Sequence, residues 1–171
     1  TPVATARGSA KGRAADRNAA QQRQQEHEPS RFRGPMQRVV IAKPGDQSVL
    51  HLQTAADLQP GPHDVCVQVA ATGVNFADIA IRLGLYESAK KYVGYPITPG
   101  FETAGQIVSA GPQALAELAQ QGLQIGSQVI AVSRFFGYAS QVLVPAHQVY
   151  ALPAGWSAAQ GAAFPVAYLT A

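Results

Sequence analysis

From Met36 onward the apolar runs are short, and glycine or proline soon stops them; the chain holds 16 Gly and 12 Pro. Val39-Val-Ile41 meets the Pro44-Gly45-Asp46 turn, and Val49-Leu-His-Leu52 is followed by Pro60-Gly-Pro62. Val65, Val67 and Val69 then alternate with Cys66, Gln68 and Ala70, a period of two that marks a strand covered mainly on one face. Thr103 to Ala110 (with Gly105 inside it), Val129 to Val132, Ala139 to Val144 and Val149 to Leu152 read as further strands, and Pro153-Ala-Gly155 ends the series. Roughly seven short strands with Gly/Pro turns between them predict a mainly β chain with short helices, folded as a small irregular barrel.

The helical signals are brief. Residues 75–83 lose the period of two, and Phe76, Ile79 and Leu83 fall on one face of a short helix. Asn75 stands at its N-cap position and Gly84 at its end. Tyr86 to Pro99 reads as a loop containing Tyr92 and Tyr95. Ala114 to Gln121 forms a second short helix closed by Gly122. Ser157 looks like the cap of an apolar helix running toward Ala171.

Charge divides the chain. Residues 1–35 carry seven Lys/Arg and three Asp/Glu (+4), whereas 36–171 carry six and seven (−1). The first stretch has almost no large apolar side chain before Phe32 and is expected to be a disordered basic tail. The excess of positive charge belongs to that tail, so the foldable part offers no nucleic-acid surface. No apolar run approaches the ~20 residues of a membrane helix, and no secretory signal is visible. The single cysteine, Cys66, excludes an intrachain disulfide and a Cys-rich zinc site, and reads as a small core residue. The expected location is cytoplasmic, with an organelle as the alternative suggested by the basic tail.

Chemically specific residues concentrate between Ala71 and Gly105: Asn75, Asp78, Arg82, Tyr86 and Glu102. Asp78 and Arg82 are one helical turn apart and could pair. Tyr86 offers a phenol beside an apolar ring, suited to a flat ligand. Glu102 enters a half-buried strand, where its carboxylate needs a backbone amide or Arg82 as partner. The four histidines, His27, His51, His63 and His147, lack metal-pair spacing. There is no Gly-x-Ser-x-Gly, no Gly-x-Gly-x-x-Gly opening a helix and no Walker loop.

Six blocks in order resemble a known family: Gly73-Val-Asn-Phe-Ala-Asp78, Arg82-Leu-Gly-Leu-Tyr86, Pro99-Gly-Phe-Glu-Thr-Ala-Gly105, Ile125-Gly-Ser-Gln-Val-Ile130, Gly137-Tyr-Ala-Ser-Gln-Val-Leu-Val-Pro145 and Phe164-Pro-Val-Ala-Tyr-Leu-Thr-Ala171. They resemble the zeta-crystallin-like quinone oxidoreductases and their vesicle-amine-transport relatives, in the medium-chain dehydrogenase/reductase superfamily. The resemblance implies a GroES-like irregular β-barrel over residues 36–155. It also implies that residues 156–171 start a helix leading into an NADPH-binding Rossmann domain absent from this chain.

The superfamily's zinc branch has a Cys-His pair where this chain has Asn75-Phe76, and a His where it has Phe101. An amide and two phenyl rings do not hold zinc, so the resemblance implies the zinc-independent branch. The implied activity is hydride transfer from NADPH to a quinone, enone or alkenal. The alternatives are an enoyl-thioester reductase of the same superfamily and a non-catalytic binding relative. By resemblance Asn75 sits near the nicotinamide and donates to developing oxygen charge, Tyr86 lines the acceptor pocket, and Phe76 and Phe101 fill the former metal site. Thr170 packs near the nicotinamide, and Glu102 supports local structure. Family members usually dimerise through the Rossmann domain, so the resemblance leaves a homodimer open to the longer protein and implies that this chain alone is monomeric. This chain alone is expected to be inactive and to expose an apolar face at Phe164, Val166 and Leu169.

Overall fold

The computed structural model describes residues 34–171; the reading of the preceding segment as a disordered tail lies outside the described residues. Seven strands form: β1 (Met36–Ile41), β2 (Leu50–Ala55), β3 (Asp64–Thr72), β4 (Glu102–Ala110), β5 (Gln128–Val132), β6 (Gln141–Pro145) and β7 (Val149–Ala151). Five short helices accompany them: α1 (Phe76–Arg82), α2 (Glu87–Tyr92), α3 (Pro112–Gln120), α4 (Ala158–Ala162) and α5 (Pro165–Leu169). No helix among the described residues is long and apolar enough to cross a membrane.

β3 to β7 make one antiparallel sheet in the order β6-β3-β4-β5-β7, and β1 pairs with β2 in a hairpin. The hairpin is tied to the sheet by main-chain bonds. Val39 N donates to Tyr138 O, Ser140 N to Gln37 O, and Ile41 and Ile97 exchange bonds. Irregularities in the β3–β4 ladder, between Cys66 and Val67 and between Val69 and Ala71, bend the pair. The bend changes the expected pattern of β3. Val65 and Val67 are buried as the alternation predicts, but Cys66 on the opposite face is buried too. That burial pushes the Cys66 thiol pKa up, which suits a core residue rather than a nucleophile.

The main core joins Val65, Val67, Ile107, Val129, Val142 and Val144 to Leu118 of α3. A second core gathers Ile41, Ile81, Ala89, Ile97 and Phe135 beneath α1 and α2. A third, small one seats Ala162 of α4 on Ala104 and Ile130.

Two expectations need correction. Tyr86 to Pro99 is not all loop, because Glu87–Tyr92 forms α2. Its buried surface reduces to Ala89, so it leaves no apolar period in the sequence. The helix after Ser157 is two helices. Ser157 caps α4 in a capping box with Gln160, but the run stops at Ala163 and restarts with Pro165 in the first turn of α5. α4 packs tightly, with Gly161 and Ala162 buried. From Ser157 onward the exposed large apolar side chains are Phe164, Tyr168 and Leu169, with Val166 half-buried.

Gly105 marks the closest approach of β4 to β3: a Cβ there would collide with the Gln68 carbonyl oxygen. Gly105→Ala is therefore expected to lower stability by about 1–3 kcal/mol through overpacking. Gly34→Ala, at an open position, is expected to change stability by less than about 0.5 kcal/mol. Urea midpoints measure both, and equal midpoints would show that the two strands do not approach this closely.

Candidate active site

The chain leaves β3 through Thr72-Gly73 and enters α1 at Asn75, beside the start of β4. Gly73 N donates to Glu102 O at 3.0 Å, and the Thr72 hydroxyl donates to the same carbonyl at 3.0 Å. A Cβ on Gly73 would strike both the Glu102 side chain and the Ala162 carbonyl. Only glycine fits between the carboxyl group and α4.

Two buried carboxylates organise what surrounds this crossing. Asp78, 5% exposed, accepts from Asn75 N at 2.9 Å, from the Tyr138 hydroxyl at 3.0 Å and from Gly100 N at 3.0 Å. Glu102, 1% exposed, accepts from Asn75 Nδ2 at 2.9 Å on one oxygen and from Val166 N at 2.7 Å on the other. Neither enters an ion pair among the described residues. Oriented neutral donors hold both, which is how a buried carboxylate is tolerated.

Asp78 and Arg82 do not pair. Arg82 turns outward and its Nη1 donates to Gly45 O at 2.7 Å, tying α1 to the β1–β2 turn. The buried face of α1 is Asp78 and Ile81, while the apolar residues Phe76, Ile79 and Leu83 are exposed. The inward anchor of this helix is thus a carboxylate. The Tyr95 hydroxyl donates to Ile81 O near its C-terminal end. Glu102 uses a backbone amide, one of the two partners the sequence allowed, and not Arg82.

Asn75 occupies the N-cap of α1 in a capping-box arrangement with Asp78. Its main-chain carbonyl takes the Asp78 N–H at 3.0 Å, and its side-chain nitrogen turns to Glu102. Tyr86, at the N-cap of α2, packs edge-on against Phe101 and Phe135, with ring centroids 5.8 and 6.5 Å away. Phe101 and Phe135 are 5.6 Å apart. The Tyr86 hydroxyl has no hydrogen-bond partner among the described residues. Phe76 makes no ring contact with this trio and is 81% exposed. Thr170 follows α5, exposed, its hydroxyl donating to Val166 O at 2.6 Å.

The structure thus brings Tyr86 together with Phe101, and links Asn75 to Thr170 through Glu102 and Val166. Phe135 and Tyr138 belong to the same surroundings, and the sequence reading singled out neither; Tyr138 entered it only within the Gly137–Pro145 block. The Phe135-Phe136-Gly137 turn is the signal that could have found Phe135. Among the described residues no three His, Cys, Asp or Glu side chains converge as metal ligands would.

Burial first, then the charge of Asp78 and the hydrogen bond to it, push the Tyr138 phenol well above its ordinary 10.0. A raised folded-state pKa contributes stability below pH 10, and that contribution is lost as pH rises through the folded value. In an alkaline titration read by tyrosinate absorbance, the folded protein and its Tyr138→Phe variant should match up to about pH 11. One extra tyrosinate should appear in the parent only on unfolding. An extra signal in the folded parent near pH 10 would show that Tyr138 is not held by Asp78.

Residues 61–154 match the family model of the alcohol dehydrogenase GroES-like domain. The chain is 32% identical over 136 residues to the mouse (Mus musculus) synaptic vesicle membrane protein VAT-1 homolog-like, covering 80% of this chain and 30% of that protein. The Escherichia coli quinone oxidoreductase complexed with NADPH superposes with a TM-score of 0.68 at 28% identity, over 78% of this chain and 38% of that one. The CurK enoyl reductase superposes with a TM-score of 0.70 at 27% identity, over 80% and 41%. This chain therefore spans well under half the length of these relatives. It belongs to the alcohol dehydrogenase GroES-like domain family, and its relatives include VAT-1 homologs and quinone oxidoreductases of the medium-chain dehydrogenases/reductases.

Proposed function

We propose that this chain forms the acceptor-side wall of an NADPH-dependent reductase of quinones or enones that works without zinc. The observation that carries the reading is the Asn75 amide, anchored by Glu102 at 2.9 Å on the segment that leads into the Tyr86–Phe101–Phe135 ring cluster. A zinc enzyme needs thiolate or imidazole ligands, and the side chains at positions 75, 76 and 101 are an amide and two phenyl rings. Without a Lewis acid, the acceptor must already be electrophilic, as conjugated carbonyls are.

The residues present suit the ring end of the cofactor and not its phosphates. Val74, Phe76 and Leu169 expose apolar surface, and Asn75 and Thr170 supply polar groups that share the Glu102 anchor. No Gly-rich turn opens a helix within the chain to cradle a pyrophosphate. In this reading residues 156–171 lead into the domain that carries the remainder of the site.

NADPH, when bound, supplies the hydride. Asn75 spends one amide hydrogen on Glu102 and keeps the other to donate to the acceptor oxygen as charge builds on it. Tyr86 and Phe101 flank a flat conjugated acceptor with aromatic surface. The free Tyr86 hydroxyl gives a second donor for that oxygen. Water supplies the proton that completes the two-electron reduction. An enoyl thioester is the second reading, favoured by the similarity to the CurK enoyl reductase; its conjugated carbonyl needs the same wall.

The longer gene product, mixed with NADPH and a small quinone, should consume NADPH by absorbance. Asn75→Ala should lower kcat by about 100-fold, the usual cost of removing one donor to developing charge. Absence of turnover with every quinone and enone tried would refute the activity, and turnover confined to enoyl thioesters would select the second reading.

A further inference from the structure

We infer that Glu102 is a positioning residue that sets the spacing between Asn75 and Thr170 and fixes which way the Asn75 amide faces. The inference rests on the reading of Asn75 and Thr170 as contacts of the nicotinamide ring.

The two residues lie far apart in sequence, yet both hang from one carboxylate. One Glu102 oxygen takes Asn75 Nδ2 at 2.9 Å and the other takes Val166 N at 2.7 Å. The Val166 carbonyl in turn accepts from the Thr170 hydroxyl at 2.6 Å and from Thr170 N at 3.2 Å. An unbroken set of hydrogen bonds therefore runs from Asn75 through Glu102 and Val166 to Thr170. Asn75 is gripped from a second side by Asp78, which takes its main-chain N–H.

The sense of the Asn75 amide follows from chemistry. A carboxylate oxygen accepts from the amide nitrogen and repels the amide oxygen, so Nδ2 faces Glu102 and Oδ1 faces away. The surroundings are shaped to the carboxylate. Position 73 is a glycine because a Cβ would occupy the space of Glu102 Oε1. A residue needed only to fill this site would be less costly as an apolar side chain, whereas a carboxylate offers two acceptors on one rigid plane, and here each is used once.

Two substitutions separate positioning from support. In Glu102→Gln the side-chain oxygen can keep the Val166 bond, but the new NH2 group faces Asn75 Nδ2, and the Asn75 amide must reverse to answer it. This variant should melt near the parent temperature and keep Val166 amide exchange slow. The Asn75 side-chain NMR signals should shift, and kcat for quinone reduction should fall about tenfold with little change in KM, the scale of one misdirected charged hydrogen bond. In Glu102→Asp the carboxylate retreats by one bond and cannot span both partners. Val166 exchange should then rise about tenfold, and NADPH should bind about tenfold more weakly by titration calorimetry.

A folded Glu102→Gln protein with parental kcat, NADPH affinity and Asn75 signals would overturn the inference. Failure of the wild type to turn over any quinone or enone would instead overturn the functional reading. The positioning role is then judged by NMR of Glu102→Asp alone: Asn75 and Thr170 signals that move together uphold it, and movement of only one refutes it.

Discussion

Two buried carboxylates that enter no ion pair among the described residues hold one end of this barrel together. Asp78 and Glu102 each collect donors from parts of the chain that are remote in sequence. Asp78 gathers α1, Gly100 before β4 and Tyr138 before β6. Glu102 gathers α1 and α5. A buried charge is costly when unpaired, and losing one donor leaves that cost in place. The network therefore ties separate segments to one another: each carboxylate is held by donors from more than one part of the chain.

The barrel makes this network possible by packing β3 and β4 where a side chain at two positions would not fit. Gly105 lets β4 approach the Gln68 carbonyl, and Gly73 lets the end of β3 lie against Glu102 and α4. The irregularities in the β3–β4 ladder bend the pair, so the exit of β3 and the entry of β4 converge where α1 begins. What faces outward from there is apolar surface on Val74, Phe76, Tyr168 and Leu169 beside polar side chains, a composition suited to a flat, partly polar ligand rather than to bulk water.

Much of the barrel was legible in the sequence because Gly/Pro punctuation and a period of two are local signals. All the strands lie where those signals placed them, shifted by up to three residues at their ends, and α3 ends before Gly122 as read. Partners of buried polar groups are not local. An Asp and an Arg four residues apart suggested an ion pair, but Asp78 found the Asn75 N–H at its own helix start and two donors from distant segments, Gly100 N and the Tyr138 hydroxyl, and Arg82 found Gly45. The apolar spacing of Phe76, Ile79 and Leu83 marked a real helix face, yet that face is exposed, because burial is decided by Asp78 and Ile81. α2 was invisible because a helix that buries one alanine leaves no period. Glu102 was recognisable as a carboxylate in need of an amide; that one such amide lies in α5 was beyond reach of sequence.

The account stands on direct hydride delivery to a conjugated acceptor beside Asn75. The most direct measurement supplies the longer protein with NADPH deuterated at the transferable ring position and a simple enone, then locates the label in the product. Deuterium at the β-carbon of the saturated ketone, formed equally well in the presence of a zinc chelator, is the result predicted. A product without cofactor-derived deuterium, or turnover abolished by the chelator, would contradict the account.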